Sequence, residues 1–295
     1  MSDPDLSPAR QSHTFAALLV FFAVSLSAHA QSVASCSFKL FPLNWPNSVN
    51  SVNRWGTVVG QVSTSTQIPP YGDGFIHYFD GSITYFSPQG SIGTWLNARN
   101  DAGLTVGWYF DSTKTDHGFL LRGSTMTVIT NPDADPVPTS TRPSGINKWN
   151  TIVGQYVSKK YGGFWEGFKR YSNGSIVTLV YPGPRPTYPN AINDSGTVVG
   201  LYYDDDYNQH GFIWNNGQWA TLGSELLGIS NSNVVLGIGS PDGTTFFLYK
   251  DGNFEDLPSV PNSSSTNYDG MSPNGLITGR ETDSAGQHGF VATCK

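Results

Sequence analysis

The chain has 295 residues, of which 13% are charged and 13% aromatic, with 33 glycines and a formal net charge of −6. Sixteen Lys and Arg against 22 Asp and Glu argue against a nucleic-acid partner, whose backbone demands clustered positive charge. Aromatics as frequent as charges, together with the glycines, predict short strands and tight turns, and no stretch after residue 30 sustains an apolar 3.6-residue period.

In chain order, the first predicted element is an export signal over 1–30. "FAALLVFFAVSLSA" (Phe15 to Ala28) is too short for a bilayer span and is followed by "AHA", a small-x-small pattern that predicts cleavage after Ala30. Its flank is acidic at Asp3 and Asp5, which is untypical of such signals. The mature chain, 31–295, is then expected in the secreted, periplasmic or envelope fraction, with no membrane span. Next comes "CSFKLF" (Cys36 to Phe41), a strand-like segment with no partner near it in sequence.

From there the chain repeats. A Val-rich segment ends in glycine six times, at Gly60, Gly107, Gly154, Gly200, Gly237 and Gly279, at spacings of 47, 47, 46, 37 and 42 residues. Periods near forty suit one four-stranded blade of a β-propeller. The units run roughly over 47–91, 92–141, 142–186, 187–226, 227–266, and 267–295 completed by 36–43. In each, a first strand ends at Asn53, Asn100, Asn147, Asn193, Ser230 or Ser272. A tight turn then runs through Gly or Asn, residues that tolerate positive φ. The "VVG" segment is the second strand, and the third starts near Phe75, Phe119, Phe168, Phe212, Phe246 and Phe290. Dipeptides such as Asp80-Gly81, Asn173-Gly174, Asn216-Gly217 and Asp251-Gly252 predict type I′ hairpins into a fourth strand.

The sixth unit stops at Cys294, where its hairpin turn should be, and lacks a fourth strand. Cys36 opens the orphan strand at the equivalent place. The two ends therefore complete one blade between them, and the only two cysteines are expected to form a disulfide that closes the ring. The predicted fold is an all-β, six-bladed propeller, its last blade finished by the N-terminal strand. An open stack of units would hold the chain ends far apart, beyond disulfide reach.

The unit Ile-Asn-x-x-Gly-x-Val-Val-Gly followed by His-x-Phe, clearest in "AINDSGTVVG…QHGFIWNNGQWATLG" (Ala191 to Gly223), resembles the bacterial extracellular HAF repeat. Here the tripeptide is His-Gly-Phe, at His117, His210 and His288, and Asp73, Glu166 and Thr244 occupy the histidine position in the other units. The resemblance implies an exported repeat protein and no particular activity.

The histidines invite a metal reading, but equivalent positions of a ring lie far apart unless they line its axis, so the three cannot share one zinc. A structural role is expected of them, hydrogen-bonding the backbone of their own blade, with no metal and no cofactor. No catalytic signature is present, neither a Gly-x-Ser-x-Gly elbow nor His-Glu-x-x-His nor a phosphate loop. Up-and-down topology sends the first-to-second and third-to-fourth turns to one end of the molecule. The longer second-to-third loops and the links between blades go to the other. That long-loop face carries Tyr109, Asp111, Tyr161, Trp165, Tyr202, Tyr203, Asp204, Asp206 and Tyr207. Rings beside carboxylates suit an extracellular glycan or a peptide, so a monomeric binding module is the expected function. An extracellular polysaccharide hydrolase or lyase, which would need two carboxylates about 5–10 Å apart, and a purely structural envelope protein are the alternatives.

Overall fold

The computed structural model describes residues 32–43, 46–63, 71–131, 140–160, 163–182, 186–239 and 245–295. The expected export signal, Tyr161, Thr244 and much of the longest loops lie outside them. Two short strands open the described chain, β1 (Ser32–Val33) and β2 (Cys36–Phe41). Five four-stranded sequence units follow. The first is β3 (Pro46–Val52), β4 (Val58–Val62), β5 (Asp73–His77) and β6 (Ile83–Phe86), and the second β7 (Ser91–Arg99), β8 (Leu104–Asp111), β9 (Asp116–Arg122) and β10 (Thr125–Ile129). The third is β11 (Thr141–Ile146), β12 (Ile152–Val157), β13 (Trp165–Arg170) and β14 (Ile176–Leu179). The fourth is β15 (Thr187–Ile192), β16 (Val198–Tyr203), β17 (Gln209–Asn215) and β18 (Gln218–Thr221). The fifth is β19 (Glu225–Ile229), β20 (Val235–Ile238), β21 (Phe246–Lys250) and β22 (Asn253–Asp256), with β1 added in parallel along β22.

The sixth blade holds β23 (Ser265–Met271), β24 (Leu276–Asp283) and β25 (Gly286–Cys294), and its fourth strand is β2. Cys36 lies directly opposite Cys294, and the two are disulfide-bonded across 258 residues of sequence. The molecule is a six-bladed β-propeller, closed as its two ends demand. First strands touch one another in the cyclic order β3, β7, β11, β15, β19, β23 and back to β3, so they ring the axis.

The apolar core is divided into six slabs, one at each junction between neighbouring blades. This division accounts for the paired valines. A second strand is covered on both faces, so consecutive side chains are both buried instead of alternating with polar ones. Val58 packs toward the sixth blade and Val59 toward the second; Val198 and Val199 divide in the same way between the third and fifth blades. The glycine that follows sits across from a buried phenylalanine: Gly60 opposite Phe75, Gly200 opposite Phe212, Gly279 opposite Phe290. In the fifth blade that ring belongs to Phe247, not to the expected Phe246. "TTFF" has no glycine to mark the register, and Phe246 instead leans on Tyr268 of the sixth blade, ring centroids 5.3 Å apart.

The hairpins also divide. Both central residues have positive φ in the two-residue turns Asn216-Gly217 and Asp251-Gly252, as type I′ geometry requires. Asp80-Gly81 and Asn173-Gly174 lie instead in five-residue loops, where only the glycine is left-handed and the Asp or Asn side chain accepts the Ser82 or Ser175 amide.

Candidate functional site

Around the axis, polar side chains are committed to holding blade to blade. The inner strands each slip register near their middle, and the residue set loose reaches for its neighbour. Asn50 donates to the Leu96 carbonyl (2.9 Å), Asn97 to Pro143 (2.7 Å), Ser144 to Pro189, and Asn190 to Leu226 (3.0 Å). Asp269 of the sixth blade accepts the Val49 amide of the first at 3.1 Å, and the equivalent in the fifth blade is the apolar Leu227, so five of the six junctions carry such a bond. A second circle lies at the short-turn end. Asn100 Oδ1 accepts the amides of Ala102 and Leu104 in its own turn, while its Nδ2 donates to Asn147 O of the next blade (3.1 Å). Asn147 and Asn193 repeat the arrangement. Ser230 and Ser272 keep the acceptor half of this device, taking the amides of Val234 and Leu276. The hollow these circles surround has a volume of about 40 Å³, room for a few waters but not for a sugar ring.

At the long-loop end the predicted residues separate into two groups. Tyr109, Asp111, Tyr202 and Asp204 are absorbed by the blades themselves. Asp111 accepts the amides of Thr113 (2.8 Å) and Thr115 (3.0 Å), and its other oxygen meets His117 Nε2 at 2.9 Å. Asp204 takes the amides of Asp206 (3.0 Å) and Asn208 (2.8 Å) and meets His210 at 2.8 Å. Lys114 and Tyr207 occupy the matching left-handed positions, and Tyr207 is exposed. Tyr109 stacks on His117 and Tyr202 on His210, centroids 5.0 and 5.2 Å apart. His117 and His210 thus meet aspartate side chains of their own blades, where backbone was expected. The Thr113 hydroxyl and then His117 hold the Asp111 carboxyl well below the carboxylate range. His210 and then Asn208 do the same for Asp204, bringing it to about 2. Burial pushes the Tyr202 phenol up to about 12.

Trp165 and Tyr203 belong to a different group, organised by a residue that sequence reading missed. Arg142, near the start of inner strand β11, places its guanidinium 4.3 Å from the Trp108 ring and 4.6 Å from that of Trp165. Its fork is held by the buried Asp116, Nε to Oδ2 at 3.0 Å and Nη2 to Oδ1 at 3.2 Å. Trp108 is stacked in turn on Trp95, 4.0 Å away and within 4° of parallel, with Phe110 edge-on to both. On the far side Tyr188 packs edge-on to Tyr203 at 6.1 Å. Burial and Tyr203 raise the Tyr188 phenol, and the charge of Arg142 opposes them. Tyr203 donates to Gln209 (3.4 Å), and Gln209 and Asn190 both donate to Glu225, whose carboxyl burial pushes upward. The result is an arc of half-buried rings and polar groups running from the second blade to Glu225 at the edge of the fifth. Trp108, Arg142 and Tyr188 read as ordinary strand residues in sequence, because their grouping depends on which blade faces which.

With a disulfide-closed ring and an aromatic arc at its long-loop end, the chain falls in the class of six-bladed propellers that hold irregular loops on a rigid scaffold. No family model matches it, and no curated protein does. Among solved structures it is similar to a gluconolactonase from Xanthomonas campestris, at 10% identity over 91% of this chain and 99% of that one, with a TM-score of 0.50. A mutant of AofleA from Arthrobotrys oligospora is 11% identical over 88% of this chain and 86% of that chain, TM-score 0.48. At such identities the likeness concerns the fold alone.

Proposed function

We propose that the protein is an exported binding module whose long-loop face takes an extracellular glycan. The observation that carries this reading is the arc itself. Trp108, Trp165, Tyr188 and Tyr203 are neither sealed into the core nor fully exposed, and the guanidinium among them is fixed by a buried carboxylate, so the surface needs little ordering to receive a ligand. Flat rings offer apolar area to the faces of a sugar, and Gln209, Asn190 and Glu225 offer donors and acceptors beside them. The likeness to HAF repeats and the disulfide, which an oxidising compartment allows, support export.

The test is a glycan and peptide array on the mature protein, followed by titration of any hit. Trp165→Ala and Tyr203→Ala should each weaken binding by about three- to tenfold, the value of an aromatic contact beyond its area. Trp149→Ala, on the short-turn face, should change nothing. Binding confined to peptides would reassign the ligand class; silence on every glycan, or equal affinity in the Trp165 variant, would remove the reading.

A further inference from the structure

Among the described residues, the even-numbered blades share a device that the odd ones lack: an aspartate at the end of the second strand meeting a histidine at the start of the third. In the second and fourth blades a tyrosine two residues past the blade glycine, Tyr109 after Gly107 and Tyr202 after Gly200, covers the imidazole. In the sixth blade the equivalent residue, two past Gly279, is Glu281. A bulky ring has been replaced by a carboxylate at an enclosed place, with only 2% of the residue exposed.

The substitution changes what the pair can do. His288 and Asp283 stand at 3.4 Å, looser than the 2.9 and 2.8 Å of the other two pairs. Glu281 lies directly across from His288 on the neighbouring strand. One donor atom from each of Glu281, Asp283 and His288 falls within 4.8 Å of the others. Asp283 is aimed by its own turn, accepting the amides of Ala285 (2.7 Å) and Gly286 (3.1 Å). The buried Glu281 Oε1, by contrast, has no hydrogen-bond partner. An orphaned buried carboxylate oxygen is costly, and a native chain that keeps one calls for a missing partner. The nearest cationic side chain in sequence does not supply it, since Arg280 forks onto Asp269 at 2.9 and 3.2 Å.

We propose that Glu281, Asp283 and His288 form a divalent-metal site in the sixth blade, suited to zinc. Two carboxylate oxygens and an imidazole nitrogen make a donor set of intermediate softness, whereas calcium and magnesium prefer oxygen alone. Metal–ligand distances of about 2.0–2.2 Å require these donors to close by roughly an ångström, a small side-chain rotation. Three protein ligands leave a further coordination position for water. The ion would pin β24 to β25 at the long-loop end of the blade whose other end carries the disulfide.

The mature protein, stripped with chelator, is titrated with zinc chloride by calorimetry and by thermal unfolding. One zinc per chain and a raised Tm are expected, with at least tenfold weaker binding in Glu281→Gln and in His288→Ala. His210→Ala, which alters an Asp–His pair lacking a third ligand, should bind zinc as the unaltered protein does. Should either sixth-blade variant fail to fold, cobalt(II) added to the unaltered protein gives a second readout: visible d–d absorption that one equivalent of zinc abolishes. Absent stoichiometric binding, undiminished affinity in folded Glu281→Gln, an equal loss in His210→Ala, or no cobalt spectrum would each overturn the site.

Discussion

Asp111 and Asp204 are half-exposed carboxylates that the sequence offers as ligand-binding acids, yet each already serves two backbone amides and a histidine. A carboxyl whose folded pKa lies below its unfolded one adds stability above the unfolded value. That contribution disappears as pH falls through the folded value. For Asp204 the window runs from about 3.8 down to about 2. Asp204→Asn keeps the shape and the turn acceptor but carries no charge. The stability gap between it and the unaltered protein, measured by urea unfolding, should be constant near neutrality and close as the pH descends through that window. A gap that persists undiminished at pH 2 would show that the charge of Asp204 is not what His210 and Asn208 hold.

Among elements, the second strand is the most constrained. Its glycine faces a carbonyl of the inner strand on one side and a phenylalanine ring on the other. A Cβ at Gly200 would stand 2.0 Å from the Tyr188 carbonyl oxygen and 2.9 Å from the Phe212 ring. Neither neighbour is a flexible side-chain end, so the strand itself would have to shift. Gly200→Ala should cost at least about 2 kcal/mol, read as a lowered urea midpoint with an unchanged slope. The same change at Gly217, where nothing lies within 4 Å, meets no contact at all and costs only what its positive φ imposes. If the two variants proved equal, the close approach would not be the reason for the repeated glycine.

For the whole molecule, the decisive contact is Cys36–Cys294, because it joins the two ends of a ring whose other junctions are continuous in sequence or in packing. Cross-linking residues this far apart restricts the unfolded chain strongly, by about 5 kcal/mol on the loop-entropy account. The double variant Cys36→Ser, Cys294→Ser should lose stability of that order, and dithiothreitol should bring the unaltered protein down to the same midpoint while leaving the variant where it is. An indifferent response to reductant would mean that β2 is held in the sixth blade by its ladder and slab alone.

What the sequence determined is the periodic part: six units, the turns after Asn or Ser, the strand order within a blade, and the joining of "CSFKLF" to a last unit that lacks a fourth strand. These are local or nearly local features. A tight turn needs a left-handed residue, a doubly covered strand needs consecutive apolar side chains, and both recur at a fixed period whatever the neighbours are. Tertiary structure alone decided the contents of the junctions. Trp165 and Tyr203 could be named from loop position, but Arg142, Trp108 and Tyr188, which join them into one arc, come from three successive blades and meet only when the ring is assembled. Asp111 and Asp204 were legible as acids and not as partners of histidines six residues on, since that pairing requires two strands to lie side by side. The physical reason is the same throughout. Backbone conformation is encoded within a few residues, whereas a site is a set of side chains brought together from distant segments, and only packing fixes which of them meet.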